Sequence, residues 1–186
     1  MPRQKVSPHF IVKQSLKVFK RKGYADTRME DIANACGLLK GSLYHHFKGG
    51  KKDLLKAVIN NVHEYYRKEV FIHAYDSKLG AKQKLQVLVD LSENQFIGSD
   101  GGCLMGNLVL ETASAYPEFT DMLRAFFTDW IAAMQHIFEE KHPTATANTL
   151  AKESVALIEG AVMMMRLFDD EQFLKQAHQQ ILQKID

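Results

Sequence analysis

The 186-residue chain has little of what marks several common protein classes. Its two cysteines, Cys36 and Cys103, lie far apart in sequence and indicate neither a disulfide framework nor a metal-binding knuckle. No apolar run approaches the roughly 18–20 residues that are needed to span a bilayer. Residues 1–10 are basic but lack the apolar core of a signal peptide. We therefore expect a protein without membrane attachment that works in the cytoplasm.

Strands are not indicated either, because apolar and polar residues do not alternate with a period of two over any useful length. Internal repeats and low-complexity tracts are absent. Apolar residues instead recur at helical spacing, and sparse glycine and proline residues divide them into segments. Three shorter helices are followed by predicted helices at 51–76, 80–98, 102–114, 117–140, 145–168 and 170–184. The sequence predicts an all-α fold of about nine helices.

The first two helices have recognisable start signals. Ser7 followed by Pro8 predicts an N-cap and a first helical turn, and Gly23 predicts the end of that helix. Thr27 and Glu30 stand at capping-box spacing, with the Thr hydroxyl and the Glu carboxylate each expected to accept a free amide. The second helix should therefore start next to Thr27.

A third helix is expected after Gly37, which interrupts the second helix after barely two turns. Its apolar face carries Leu39, Leu43 and Phe47, and Gly49-Gly50 ends it. Helices this short are unstable alone, so their apolar faces must share one small core. Two short helices joined by a tight turn and braced by a longer one indicate a helix-turn-helix.

Charge is divided unevenly along the chain. Residues 1–52 contain twelve Lys and Arg against three Asp and Glu, which gives +9, whereas the remaining residues sum to −7. A solvated cationic surface would account for the basic segment, but so would a polyanionic partner. The helix-turn-helix in the same segment favours double-stranded DNA as that partner.

The third helix carries the run Lys40-Gly41-Ser42-Leu43-Tyr44-His45-His46-Phe47, preceded by Phe19, Gly23, Thr27, Ile32-Ala33 and Gly37 and followed by Lys51 and Leu54-Leu55. In order and spacing, these residues resemble the DNA-binding region of TetR-family transcriptional regulators. Gly102–Leu108, with Glu111 and Pro117, is more loosely similar to sensor domains of that family. The resemblance implies a DNA-binding head at residues 1–48 and a ligand-binding, dimerising helical domain at 49–186.

The resemblance also implies roles for single residues of the head. Phosphate contacts are implied for Thr27, Tyr44, His45 and Lys51, and base-edge contacts for Lys40 and Ser42. Lys51 follows two glycines at a helix start, where free amides and the helix dipole favour an anion. Hydroxyl groups can donate to phosphate oxygens, and a glycine allows close backbone approach. The full predicted DNA-binding set is Thr27, Arg28, Lys40, Gly41, Ser42, Tyr44, His45 and Lys51.

Two features depart from the pattern of the family. Leu38-Leu39 stands where many members place Ser or Thr as the cap of the recognition helix, so that cap is missing or supplied differently. Gly49-Gly50 lengthens the segment after Phe47 by one residue relative to the commonest pattern, which would shift Lys51 relative to a phosphate. The bases that are read are therefore left open.

The remaining helices are rich in methionine and aromatic residues, most of which are expected in the core. Spread over several helices of one bundle, such residues also suit an adaptable apolar pocket. The predicted lining of a pocket for a mostly apolar effector is Phe96, Met105, Leu108, Phe127, Trp130, Met134 and Met164. The resemblance implies that the last two helices pair with their symmetry mates in a homodimer, and the residues predicted for that interface are Ala156, Leu157, Gly160, Phe173, Leu174 and Ile181.

Together these features predict a ligand-responsive repressor that binds a pseudo-palindromic operator as a dimer and is released by a small effector. We predict no catalytic residues, cofactor or metal; His45 and His46, for example, are adjacent on a helix and diverge by roughly 100°. An activator, and a small-molecule binding protein with a decayed helix-turn-helix, remain open. So does a repressor that senses oxidants through Cys103, because Gly101-Gly102 would place its thiol at a helix N-terminus, which lowers a thiol pKa.

Overall fold

The computed structural model describes residues 6–98, 101–113 and 115–185. Within these residues there are nine α-helices, one short 3₁₀ helix (Phe71–Tyr75) and no strand, so the all-α prediction is confirmed. The helices are α1 (Pro8–Asp26), α2 (Met29–Cys36), α3 (Lys40–His46), α4 (Lys51–Glu69), α5 (Ala81–Phe96), α6 (Leu104–Thr112), α7 (Pro117–Phe138), α8 (Thr144–Phe168) and α9 (Gln172–Gln183). Among these helices, none pairs the length with the apolarity that a membrane crossing demands.

The chain forms two compact units. The first is Met1–His63 together with Leu104–Leu123, and the second is Glu64–Cys103 together with Arg124–Asp186. The first unit thus combines the three N-terminal helices with α6, with most of α4 and with the beginning of α7. The division between residues 48 and 49 that the sequence suggests stays a prediction.

Helix α1 begins as its sequence directs and bends near its end. Ser7 Oγ accepts the Phe10 amide hydrogen at 3.2 Å, which confirms the N-cap, and Pro8 occupies the first helical position. Gly23 has a φ of +79°, outside the helical region, and bends the helix before its last residue, Asp26. Backbone N–H groups just after the bend are therefore left without partners in the preceding turn.

The start of α2 corrects the predicted capping box by one residue. The helix begins at Met29, and the Asp31 carboxylate accepts the Arg28 N–H at 2.8 Å. The pairing of Thr27 with Glu30 is wrong, because Thr27 closes α1 and donates its hydroxyl to the Gly23 carbonyl at 2.5 Å. Thr27 thus belongs to the end of one helix, and its neighbour opens the next.

The three N-terminal helices share one apolar core, as the helix-turn-helix requires. Ile11 and Phe19 of α1, Ile32 of α2 and Leu43 of α3 are all at most 1% exposed. Gly37 ends α2 with a φ of +65°, a left-handed conformation that glycine adopts without strain. The seven-residue α3 is held in place by this packing, since so short a helix is unstable alone.

An aromatic cluster forms part of the core of the second unit. Tyr66 of α4, Phe71 of the 3₁₀ helix, and Phe126 and Trp130 of α7 have neighbouring ring centroids 5.1–6.5 Å apart. The single helix predicted over 51–76 is wrong in its last part, because α4 ends at Glu69 and the 3₁₀ helix follows. That break brings Phe71 into the aromatic cluster.

Helix α9 packs against α5 through a buried histidine. His178 is 1% exposed, with Nδ1 3.1 Å from Glu93 Oε1 and Nε2 3.2 Å from Ser92 Oγ. Because a carboxylate only accepts hydrogen bonds, Nδ1 carries the hydrogen, and the neutral ring accepts the Ser92 hydroxyl at Nε2. Burial lowers the pKa of His178 below its ordinary value, although Glu93 opposes that shift.

This histidine should make stability depend on pH. The free energy of unfolding is expected to fall as the pH drops below about 6.5, the ordinary pKa, because the unfolded chain then binds a proton that the folded chain resists. Above that pH the contribution of His178 is complete. Chemical denaturation at fixed protein concentration and several pH values measures the slope. His178→Gln should flatten it and the exposed-residue control His9→Gln should not; an unchanged slope in His178→Gln would contradict this account.

Candidate nucleic-acid interface and internal cavity

Helix α3 presents polar groups outside the core of the head. Lys40, Tyr44 and His45 are exposed, and Ser42 is half-buried. The Tyr44 ring is 41% exposed, so much of a large amphipathic side chain is left uncovered. A Cβ added at Gly41 would meet no other atom within 4 Å, so the backbone here is open to close approach. Four of the predicted DNA contacts and this glycine therefore lie together on one short helix.

The start of α3 has no side-chain cap, as the sequence suggested. Leu39 occupies the N-cap position, is 63% exposed and makes no side-chain hydrogen bond to the helix. The adjacent Lys40 pairs with Glu30 of α2 across 2.6 Å between Nζ and Oε1. This hydrogen bond raises the pKa of Lys40. Both partners are exposed, so the pair is weak enough to open for a nucleic-acid base or phosphate.

Two further predicted contacts lie at the turn between α1 and α2. Thr27 is 1% exposed, and its hydroxyl hydrogen is already donated to the Gly23 carbonyl. Arg28 is exposed, and its backbone is fixed by the Asp31 carboxylate. The turn thus offers a guanidinium on a fixed backbone, while the threonine hydroxyl serves the fold.

The Lys51 side chain is held by the bend of α1. Its Nζ donates to the carbonyl oxygens of Tyr24 at 2.8 Å and Ala25 at 3.3 Å, and lies 4.4 Å from the Tyr24 ring centroid. Burial lowers the pKa of Lys51, while the charges of Glu111 and Asp26 raise it. An ammonium has three N–H donors, so this arrangement leaves one for a further partner.

A carboxylate that the sequence did not assign to the head binds the same bend. Glu111 Oε2, on α6, accepts the N–H of Tyr24 at 2.6 Å and that of Ala25 at 3.1 Å. A Cβ at Gly23 would lie only 2.7 Å from Glu111 Oε1, so the glycine provides both the φ and the room for the carboxylate. Glu111 and Tyr24 are 87 residues apart in sequence, and no local pattern reveals their contact.

The second unit contains a cavity lined by residues of α4, α5, α7, α8 and α9. Its volume is about 540 Å³ when open solvent at the mouth is included. The region that the centre of a water-sized sphere can occupy is only about 30 Å³. The walls therefore lie close together. Phe96, Trp130 and Met134, three of the residues predicted to form a pocket, line this cavity.

The other residues predicted for the pocket lie elsewhere. Met105 and Leu108 are at most 1% exposed in the first unit, Phe127 stacks on Trp130, and Met164 is half-buried on α8. Six of the eleven lining residues that the prediction omitted lie on α5: Leu91, together with Leu85, Leu88, Val89, Ser92 and Gln95. Their spacing of three and four residues is the helical signal that would have revealed this wall.

The surroundings of Cys103 do not favour a reactive thiol. The residue precedes α6 and is 6% exposed. Its thiol is hydrogen-bonded to the carboxyl of Glu159, whose own pKa is raised by burial. Cysteines that react with oxidants are solvent-accessible, whereas this thiol is buried.

Helix α8 carries an apolar stripe on its exposed side. Met163, Leu167 and Phe168 are 58%, 72% and 58% exposed. The small residues Ala156 and Gly160 extend the stripe toward the N-terminus at spacings of three and four residues. We call these five residues the α8 stripe. An exposed apolar surface of this kind marks an interaction site when its residues are contiguous.

The remaining residues predicted for a dimer interface differ in exposure. Leu157 and Phe173 are half-buried. Leu174 and Ile181 are 0% exposed in the single chain, so their side chains offer no surface to a second copy. They belong to the packing of α9 inside its own unit, where Ile181 also lines the cavity.

The Glu111 contact should contribute measurably to the stability of the head. Glu111→Ala is expected to lower the free energy of unfolding by about 1 kcal/mol, because two amides lose a carboxylate that acts as a helix cap does. Glu118→Ala is the matched control: it removes an exposed pair with Lys52 in the same unit and should change little. Chemical denaturation of the wild type and of both variants measures these changes. Equal denaturation midpoints for the two variants would contradict the role assigned to Glu111.

Two family models match the chain. One, described as bacterial regulatory proteins of the tetR family, matches residues 11–58. The other, described as the LmrA/YxaF-like transcriptional regulator C-terminal domain, matches residues 81–180 and thus more than half of the chain.

Similar full-length proteins agree with these matches. The chain is 26% identical over 161 residues to the HTH-type transcriptional regulator LmrA of Bacillus subtilis, with 83% of each chain covered. It is 24% identical to the HTH-type transcriptional repressor DhaR of a Mycobacterium species, over 90% of this chain and 85% of that protein. The crystal structure of a TetR transcriptional regulator from Legionella pneumophila has a TM-score of 0.90 and 25% identity, covering 99% of this chain and 100% of that one. The chain belongs to the TetR family of transcriptional regulators and has an LmrA/YxaF-like C-terminal domain.

Proposed function

We propose that this DNA-binding regulator is a ligand-responsive repressor. In this proposal a homodimer binds a pseudo-palindromic operator in the cytoplasm, and a small, mostly apolar effector releases it. The observation that carries the proposal is the cluster of exposed Lys40, Tyr44 and His45 on α3, within a segment of net charge +9. Similarity to DhaR, which is named as a repressor, supports repression rather than activation.

At the DNA, we assign different roles to the residues of the head. Lys40, released from Glu30, and Ser42 approach base edges in the major groove. Tyr44, His45 and Arg28 contact phosphates, which fix position without reading sequence. Lys51 has one N–H left for a phosphate after its two backbone bonds. The Thr27 hydroxyl, already donated, holds the turn that carries Arg28.

The dimer is proposed to form through the α8 stripe. Three of its side chains are large, apolar and more than half exposed, and its two small residues let a second helix approach closely. A two-fold axis through such a surface pairs each stripe with its copy. It also presents two recognition helices to half-sites about one helical turn (roughly 34–36 Å) apart or somewhat more.

The effector is proposed to act through the cavity of the second unit. Because its walls lie close together, a ligand larger than a water or two must move side chains such as Met134 apart. Such a ligand binds an expanded conformation better than the closed one and shifts the population toward it. If the expanded conformation binds operator less well, ligand binding lowers the affinity for operator. The coupling is reciprocal, so operator DNA lowers the affinity for the ligand by the same factor.

Fluorescence anisotropy with labelled DNA flanking the gene tests the DNA-binding roles. Tyr44→Phe should weaken binding about fivefold on every sequence, because it removes a phosphate contact. Lys40→Ala should weaken binding to the specific fragment more than binding to random DNA, because it removes a base contact. Tyr75→Phe, which alters an exposed tyrosine of the second unit outside the cavity wall, is the control and should bind as the wild type does.

A salt series on the same fragments completes that test. Binding to the specific fragment should be tighter than binding to random DNA and should weaken steeply as salt rises. A plot of the logarithm of the binding constant against the logarithm of the salt concentration should have a slope near −0.9 for each phosphate neutralised. Weak binding that is equal on all fragments, with no effect of Lys40→Ala, would contradict the assigned base contacts. Absence of DNA binding at every salt concentration would contradict the proposed function.

Replacing one residue of the α8 stripe should separate the dimer. Leu167→Glu puts a charge among the three large apolar side chains of the proposed interface, at the most exposed of them, and burying that charge against apolar surface is costly. Leu110→Glu, at a leucine that is 82% exposed on α6, is the matched control and should leave the dimer intact. Sedimentation equilibrium measures both. A wild-type monomer, or a Leu167→Glu variant that remains dimeric, would refute this interface.

A further inference from the structure

The cavity of the second unit is lined without charge. In the part of the chain that the structure describes, every residue of its wall is aliphatic, aromatic or neutral polar. An ion taken into such a space loses its hydration without gaining a partner, which costs far more than burying a neutral group. The wall therefore selects neutral molecules.

Polarity changes along the α5 side of the cavity. Leu85, Leu88 and Val89 line it from the earlier turns, whereas the last turns add the polar Ser92 and Gln95 to the apolar Leu91 and Phe96. Residues three or four apart share one helix face, so the two polar groups of this wall lie together at one end of it. A matching ligand is apolar over most of its length and carries a polar group at one end.

Tyr66 adds a buried hydroxyl to this wall. It is 8% exposed and lines the cavity. Burial raises the pKa of Tyr66, so the phenol keeps its hydrogen and remains a donor. A ligand oxygen in the cavity can therefore accept this hydrogen.

His178 determines how the Ser92 hydroxyl is used. The neutral ring accepts the Ser92 hydrogen at Nε2, 3.2 Å away, while Glu93 accepts the hydrogen on Nδ1 at 3.1 Å. With its hydrogen committed, Ser92 Oγ is left with lone pairs that accept from a ligand. Beside Gln95, whose amide both donates and accepts, the wall thus offers an acceptor at Ser92 and a donor at Tyr66.

We propose that the cavity binds a neutral, largely apolar molecule that carries a hydroxyl group. This hydroxyl donates to Ser92 Oγ, and its oxygen accepts the hydrogen of the Tyr66 hydroxyl. This ligand class rests on the proposed role of the cavity as the effector site. The donor requirement excludes ethers and hydrocarbons of the same size as strong ligands, and the uncharged wall excludes carboxylates.

Three eight-carbon probes of similar length test this class. 1-Octanol is neutral and has a hydroxyl, its isomer heptyl methyl ether accepts but cannot donate, and octanoate is an anion. Trp130 lines the cavity and is the only tryptophan of the chain, so its emission reports binding of these transparent probes. We expect octanol to bind saturably, and both the ether and octanoate to bind about tenfold more weakly.

Variants of the full-length protein assign that preference to the named hydroxyls. Ser92→Ala should bring octanol and the ether to within about twofold of one another, because it removes the acceptor that only the alcohol can use, whereas Tyr66→Phe should weaken both probes by a similar factor, because both carry an oxygen that accepts. Ser154→Ala is the matched control for the serine: its hydroxyl is buried, bonds to the Leu150 carbonyl at 2.7 Å and lies outside the cavity wall. Tyr75→Phe is the control for the tyrosine. Thermal unfolding shows that each variant is folded.

The ligand class is overturned if octanol does not bind, if octanoate or the ether binds as tightly, or if Ser92→Ala keeps the wild-type preference. Operator affinity, measured by anisotropy with saturating octanol, separates this inference from the proposed function. Selective octanol binding that leaves operator affinity unchanged supports the ligand class and refutes the effector role. Operator release by octanoate, acting through the same cavity, supports the effector role and refutes the ligand class.

Discussion

The carboxylate of Glu111 at the bend of α1 is the contact on which the first unit depends. Gly23 leaves the helical conformation, which frees the amides of Tyr24 and Ala25, and Glu111 accepts both. Lys51 binds the carbonyls of the same two residues from α4. One short stretch of backbone therefore joins α1, α4 and α6, and the turn that carries Arg28 follows directly. A substitution at Gly23 would disturb all three helices, because a side chain there meets the carboxylate.

Local patterns predicted most of the fold, and contacts between distant segments account for what they missed. The N-cap at Ser7, the uncapped start of α3 and the helical segments follow from neighbouring residues. The capping box failed by one residue because Thr27 could serve either helix, and only the structure shows its hydroxyl bound to Gly23. Glu111 could not be assigned to the head, since its partners lie 86 and 87 residues away.

The cavity shows the same limit for a binding site. Methionine and aromatic content predicted an apolar pocket, and Phe96, Trp130 and Met134 do line a cavity. Composition cannot separate cavity residues from core residues, so Met105 and Leu108, both buried, were included without lining it. Polar lining residues were missed because their role depends on neighbours: Ser92 becomes an acceptor only through His178, on another helix. The chemistry of the site therefore emerges from tertiary contacts.

The central claim is that two heads of one dimer read two half-sites of an operator through α3. Hydroxyl-radical footprinting on the DNA flanking the gene, combined with sedimentation of the labelled complex, tests it most directly. The account predicts two protected half-sites related by a pseudo-two-fold axis, on one face of the duplex, with chains bound in multiples of two. One chain bound at a single asymmetric site, or uniform protection of any DNA, would contradict it.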